Sequence, residues 1–286
     1  MKARRMRVVY ATMNEIGRWA LEELAGVVEV VGVFTVRERG RLFMDPTDFS
    51  ALAEKHAFPL HRIDDINAPE VKAAIRDLKP DLGMCLGWKQ ILRRNVLGIP
   101  RCGWIGCHPA MLLLKGRRPS AEVFSAPGNE PLQYAIRGRF RKTGTSLQWL
   151  QESVDEGDIF AQAEVPLDEH ETAATLVEKL GKATGRLVRD NLPSILAGNP
   201  PRMKRQLTGA QPYTPPLTPD DNRIDPAAPV EETYALIRSV VYPYPNAFID
   251  FYGTRIYIEH ARMEGGTFTE LKLRVGGSPY ARDSSQ

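Results

Sequence analysis

The feature that most constrains this chain is a strand–helix–strand alternation at its start. Residues 7–12 (RVVYAT) form a short β-rich run. Residues 14–25 have helical spacing, with Ile16, Ala20, Leu21 and Leu24 on one face. Residues 29–36 (EVVGVFTV) are again β-branched and apolar. Two such strands joined by a helix point to a parallel βαβ unit. The pattern then continues with a helix over 48–56, a short strand over 58–63 and a helix over 68–78 with Pro69 at its start. After Pro80-Asp81 the run LGMCLGW reads as a buried strand. The expected fold is α/β, a doubly wound, mostly parallel Rossmann-like sheet with helices on both faces.

The second half is more varied. RCGWIGCHPA begins as a strand and breaks at His108-Pro109. Residues 118–126 are expected to start a helix. Thr143–Leu150 (TGTSLQWL) alternates apolar and polar, like a strand with one exposed face, and 153–160 reads as a turn entering another strand. Thr172–Leu192 is the longest helical pattern, with Pro193 as its natural stop. Residues 199–220 hold six prolines and read as an extended linker. VEETYALIRSVV follows as a short amphipathic helix, and NAFIDFYGTRIYIEHARM as a hairpin turning at Tyr252-Gly253. These signals divide the chain into a catalytic domain, 1–205, and a small C-terminal β-containing lobe with its linker, 206–286.

The 286 residues contain no apolar stretch of about 18 residues, so no membrane span is expected. MKARRMRVVYAT lacks a long apolar region and reads as a first strand, not a signal peptide. Cys85, Cys102 and Cys107 fit no zinc or CxxC spacing; reduced thiols in a cytoplasmic protein and no metal are the expectation. The net charge of +3 does not by itself imply a nucleic-acid binder.

His108 stands where a strand ends, the usual place for ligand crevices in open α/β sheets. Asp155 stands in VDEGDI, where Gly157 permits a tight turn; Asp-x-Gly is also common turn chemistry. Cys107 beside His108 allows a Cys/His nucleophile, but neighbours on a strand point to opposite faces, which favours a buried structural thiol. Trp88 and Trp104 suit stacking on a ring or core packing equally. Arg37, Arg39 and Arg41 suit a phosphate contact or, preferably, a solvated loop. His56, His61, His170 and His260 have no partners at ligand spacing.

The segment IGCHPAMLLLKGR, followed by TGTSLQWLQESVDEGDIFAQ, resembles the folate-dependent formyltransferase family. Members of that family act on methionyl-tRNA, glycinamide ribonucleotide or nucleotide-linked amino sugars. The resemblance extends to the first strand and helix, to PDLGMCLGWKQIL and to the tail TPDDNRIDPAAPVEETYALIRSVVYPYPNAF, about 1–262 in order. It implies that His108 and Asp155 are the catalytic pair, and that N10-formyltetrahydrofolate is the co-substrate. It also implies that folate lies against Leu86, Gly87, Gln90, Ile91 and Leu92, with Thr145 and the Asp155 turn opposite. The family's asparagine, two positions before the histidine, falls on Gly106. The family's Leu-Leu-Pro falls on Met111, Leu112 and Leu113, and its Arg-Gly on Gly116 and Arg117 in inverted order.

Formyl transfer needs an acceptor for the amine's proton and a donor facing the developing oxyanion. A histidine held by a carboxylate serves proton transfer. Losing one oxyanion donor costs about 2.7–4 kcal/mol. Three readings follow: an N-formyltransferase for a small amine, a methionyl-tRNA formyltransferase, and a catalytically impaired folate-binding or regulatory homologue. Residues 207–286 hold seven Lys/Arg against ten Asp/Glu, which disfavours a tRNA grip. The expected partners are therefore a small-molecule amine such as a nucleotide sugar, with Lys115, Arg117 and Arg118 as candidates for its phosphates, and a second copy in a homodimer. Neither nucleic acid nor membrane is expected.

Overall fold

The computed structural model describes residues 5–37, 47–115, 120–153, 157–199, 202–203 and 213–276. Seven strands form one sheet: β1 (Arg7–Ala11), β2 (Glu29–Val36), β3 (Leu60–Ile63), β4 (Leu82–Cys85), β5 (Trp104–His108), β6 (Lys142–Trp149) and β7 (Ile159–Pro166). Their order is β3-β2-β1-β4-β5-β6-β7. The first five are mutually parallel; β6 and β7 are antiparallel to their neighbours. The winding reverses between β1 and β4, where such sheets open a crevice at the strand C-termini.

Helices cover both faces: α1 (Glu15–Leu24), α2 (Ser50–His56), α3 (Pro69–Asp77), the short α4 (Arg94–Leu97), α5 (Pro131–Arg137) and α6 (Ala173–Leu196). Along β1, Val8 and Tyr10 enter one apolar cluster with Leu21, Leu24 and Val188. Val9 and Ala11 enter another with Val71, Ile75 and Trp104. That alternation, apolar on both sides, is why the strand reads as a continuous apolar run. Helices α1 and α6 approach closely at Gly181 and Gly185. A Cβ there would stand 2.5 Å from the Trp19 Cβ and 2.6 Å from the Glu23 Cβ.

After the linker come a 3₁₀ turn (Pro219–Asn222), α7 (Val230–Ser239) and a separate three-stranded antiparallel sheet, β8 (Ala247–Phe251), β9 (Thr254–Glu264) and β10 (Thr267–Val275). This lobe is tied to the larger sheet through Arg137 of α5. Its guanidinium donates to Ser239 Oγ (3.0 Å), Asn222 Oδ1 (2.9 Å) and the Asp221 carbonyl (3.2 Å). Tyr234, Ile237 and Ile258 share one buried cluster with Leu132 and Leu176.

Four expectations change. Residues 120–126 are not helical; the next helix, α5, begins at Pro131. Pro193 does not end α6, because the buried stripe Val188–Leu192–Ile195 carries the helix on to Leu196. The C-terminal hairpin gains a third strand, β10, across the turn at Gly265-Gly266. From Thr143 on, both faces of β6 are buried, Ser146 and Gln148 included, so those polar side chains do not face solvent. Among the described residues no helix is long and apolar enough to cross a membrane.

Candidate active site

His108 ends β5 and is 4% exposed. Its Nε2 lies 2.8 Å from the Ala126 carbonyl. A carbonyl only accepts, so Nε2 carries the hydrogen and the basic lone pair of the neutral ring is on Nδ1. The chain beyond His108 is pinned from β6 and β7. Ser146 Oγ donates to the Ala110 carbonyl (2.8 Å) and accepts from the Leu112 N–H (3.0 Å). Gln162 Nε2 reaches the Leu112 carbonyl and Ser146 Oγ, each at 2.8 Å.

Two cavities meet here. One, of about 290 Å³, is lined by His108 and Pro109, by Asn14, which precedes α1, and Ile16 in its first turn, by Asn129, Glu130 and Leu132, and by Tyr213 and Tyr244. Lys89 and Glu130 form an ion pair on its wall (2.8 Å). The second, about 130 Å³, is lined by Gln90, Ile91 and Leu92, by Gly106, and by Gln148, Leu150, Gln151, Glu152 and Ser153. Trp88, Lys89 and Cys107 belong to both. Burial, with Cys107 nearby, pushes the Cys85 thiol well up, so this wall carries no thiolate there. Burial likewise raises the Tyr244 phenol.

The loop after β4 fits only part of its expected role. Gln90, Ile91 and Leu92 share the smaller cavity with Gly106, but the Gln90 carboxamide is engaged elsewhere. It accepts from the Ile66 N–H (2.9 Å) and donates to the Asp64 carbonyl (2.7 Å). It latches the loop to the β3–α3 connection. Leu86 is fully buried in the core and lines neither cavity. Gly87 lines the larger cavity, at φ +70°, and a Cβ there would run into Asn14 Oδ1, which already caps α1 by accepting from the Gly17 N–H (3.1 Å).

Thr145 does not form the opposite wall: it is buried and its hydroxyl meets that of Thr184 on α6 (2.8 Å). Trp104 is core, its indole N–H donating to the Val96 carbonyl (2.9 Å). Cys107 is half-buried, not fully enclosed, and lines both cavities. Lys115 is exposed and lines neither. Arg37 is exposed and faces Asp64 (3.8 Å). Asp155, Arg39, Arg41, Gly116, Arg117 and Arg118 lie outside the described residues. Sequence reasoning did not single out Asn14, Glu130, Tyr213 or Gln148. Only Gln148 carried a signal, as a polar residue alternating within a strand beside the histidine's strand.

A family model described as formyl transferase matches residues 20–191, more than half of the chain. A methionyl-tRNA formyltransferase of Bacillus velezensis is 32% identical over 265 residues, spanning 90% of this chain and 80% of that protein. A sugar N-formyltransferase from a Shewanella species shares the fold, with TM-score 0.62 at 17% identity over 89% of this chain and 97% of that one. So does HypX from Aquifex aeolicus, solved in complex with tetrahydrofolic acid, with TM-score 0.62 at 15% identity over 90% of this chain and 38% of that one. With the motifs around His108 now joined by this extent of match, the chain belongs to the formyl transferase family and is a formyl-transferring enzyme.

Proposed function

We infer that the chain transfers the formyl group of N10-formyltetrahydrofolate to the amine of a small molecule, most plainly an amino sugar carried on a nucleotide. The observation that carries the reading is His108, buried at the end of β5 where two cavities share a wall. The smaller cavity, with Trp88 and Leu92 in its lining, suits the flat ring system of a folate, whose tail would pass the exposed Ile91. The HypX neighbour solved with tetrahydrofolic acid supports the folate assignment. The larger cavity takes the acceptor. There His108 takes the amine's proton as nitrogen attacks the formyl carbon. Collapse of the intermediate restores the C=O bond and breaks the bond to N10 of the folate, which leaves with a proton. Asp155 is assigned as the carboxylate partner of this step through the motif it matches. The catalytic unit is 1–205, with 206–286 as an appended lobe.

The small-molecule acceptor is favoured by the charges of the C-terminal sheet. Arg223 and Arg255 share the carboxylate of Asp250, and Lys272 and Arg274 that of Glu259, so four cations of this lobe are already engaged by carboxylates within it. A surface that grips tRNA keeps its cations for phosphates. A sugar N-formyltransferase among the proteins that share the fold agrees with this choice. Methionyl-tRNA is the second reading, favoured by the relative at 32% identity.

The test is release of tetrahydrofolate from N10-formyltetrahydrofolate in the presence of methionyl-tRNA or of nucleoside-diphosphate-linked amino sugars. Turnover with the sugars and little with the tRNA is expected; the reverse preference overturns the acceptor assignment. His108→Ala is expected to lower turnover by about 10²–10⁴-fold. An unchanged rate removes His108 from the chemistry.

A further inference from the structure

Helix α5 begins at the larger cavity of the active site, through Glu130 and Leu132, and ends at a third cavity, through Ile136 and Gly138. This third cavity measures about 460 Å³ and shares no lining residue with the other two. Its walls come from the α5–β6 connection, from the β7–α6 connection and from Arg238 of α7. It therefore lies on the seam between the larger sheet and the C-terminal lobe.

Three guanidinium groups line it. Arg139 and Arg141 are exposed, and neither side chain makes a hydrogen bond or ion pair among the described residues. Arg238 is 7% exposed. Its Nη1 donates to the Glu171 carbonyl, and the group stacks on Tyr234, 4.7 Å from the ring centroid. Its Nε is buried with no hydrogen-bond partner. Among the described residues no carboxylate is in ion-pair contact with it. Glu171 is held by Lys179, and Asp168 lies 3.6 Å from the same ammonium. A buried cation is ordinarily paired, because an uncompensated charge away from water is costly. This one borders a cavity instead.

The rest of the lining describes the chemistry of the missing anion. Arginine forks match the oxygens of a phosphate in pairs, and three of them around one space suit a dianion. Asp168 and Glu169, both exposed, offer acceptors to hydroxyl groups. Phe140 and Leu167 supply an apolar wall for the carbon face of a sugar ring. The volume falls in the range of small-molecule sites.

We propose that this cavity is a second ligand site, for a sugar phosphate, whose phosphate sits among Arg139, Arg141 and Arg238 and whose hydroxyls meet Asp168 and Glu169. It stands independently of the acceptor assigned to the active site. No bond forms or breaks there. The bound phosphate supplies the anion that Arg238 lacks and bridges α7 to the larger sheet.

Calorimetric titration of the full chain with glucose 1-phosphate, inorganic phosphate and glucose tests the assignment. Glucose 1-phosphate is expected to bind more tightly than inorganic phosphate, and glucose to give no measurable heat. The double variant Arg139→Gln with Arg141→Gln is expected to bind glucose 1-phosphate about tenfold more weakly or worse. Its urea midpoint without ligand should match wild type, since both side chains are exposed. Arg238→Lys, which keeps the charge but loses the fork, should weaken binding as well. Saturating glucose 1-phosphate should raise the urea midpoint of the wild-type chain more than that of the double variant. Absence of glucose 1-phosphate binding by the wild-type chain overturns the proposal, as does equal affinity for inorganic phosphate. Unchanged affinity in the double variant also overturns it, by placing the ligand elsewhere, the active site included.

Discussion

The two sheets of this molecule use alternation in opposite ways. In the larger sheet both faces of the central strands are covered, and polar residues there such as Thr145, Ser146 and Gln148 are buried. Ser146 and Gln148 on β6 lie on the face that carries Gly106 and His108. In the smaller sheet one edge strand is open. Along β10, Leu271, Leu273 and Val275 stay largely exposed, and the charged residues beside them pair within the lobe. The same period-2 pattern therefore marks a buried polar row in one sheet and a solvated surface in the other. Strand pattern alone does not separate them; the number of covered faces does.

The sharpest way to break this contrast is at the core of the larger sheet. Trp104→Ala removes a nearly fully buried indole and its bond to the Val96 carbonyl. It is expected to cost about 3–5 kcal/mol in urea unfolding. A cost below about 1 kcal/mol would show that α4 and β5 repack freely around the gap, and that this sheet is no more rigid than the small one. Next comes the α1–α6 crossing. Gly185→Leu forces a side chain against Glu23 and the Ala20 carbonyl and is expected to destabilise by about 1–3 kcal/mol. Leu273→Ala, on a side chain 52% exposed, is expected to stay within about 0.5 kcal/mol in the same assay. A loss comparable to that of Gly185→Leu would mean that the β10 face is covered in solution.

The smallest effect concerns the seam between the sheets. The N–H and hydroxyl of Thr218 hold the Asp221 carboxyl below its ordinary value of 3.8, with Arg137 adding to the effect. A carboxylate whose folded value is lowered stabilises the fold fully above the ordinary value and loses that contribution as pH falls through the lowered one. Asp221→Asn should therefore unfold slightly earlier than wild type at neutral pH, with the difference shrinking as the pH falls below 3.8. A difference that persists in acid would assign the effect to lost hydrogen-bond geometry instead of charge.

Much of the larger sheet was legible because its strands are short apolar runs separated by helices with clear stripes. The limits were equally physical. Pro193 is a local signal for a helix end, yet Ile195 belongs to a buried stripe that only tertiary packing rewards. The strand β10 was announced by Gly265-Gly266 and by the alternation in TFTELKLRV, but its exposed side chains give no core signal. In the site, His108 was legible from the strand break after it. The loop 86–92 was not, since which of its side chains face a cavity depends on partners distant in sequence: Leu86 turns into the core and Gln90 is taken by Asp64 and Ile66. The burial of Gln148 was hidden for the same reason, because the face it occupies is set by β5 and not by its own strand.

The wall that Trp88, Lys89 and Cys107 give to both cavities has a kinetic consequence. For the proposed reaction, donor and acceptor occupy adjoining chambers at the same moment, and the group passes directly between them without a stop on the protein. Initial-rate lines at varied concentrations of the two substrates should intersect instead of running parallel, the mark of a ternary complex.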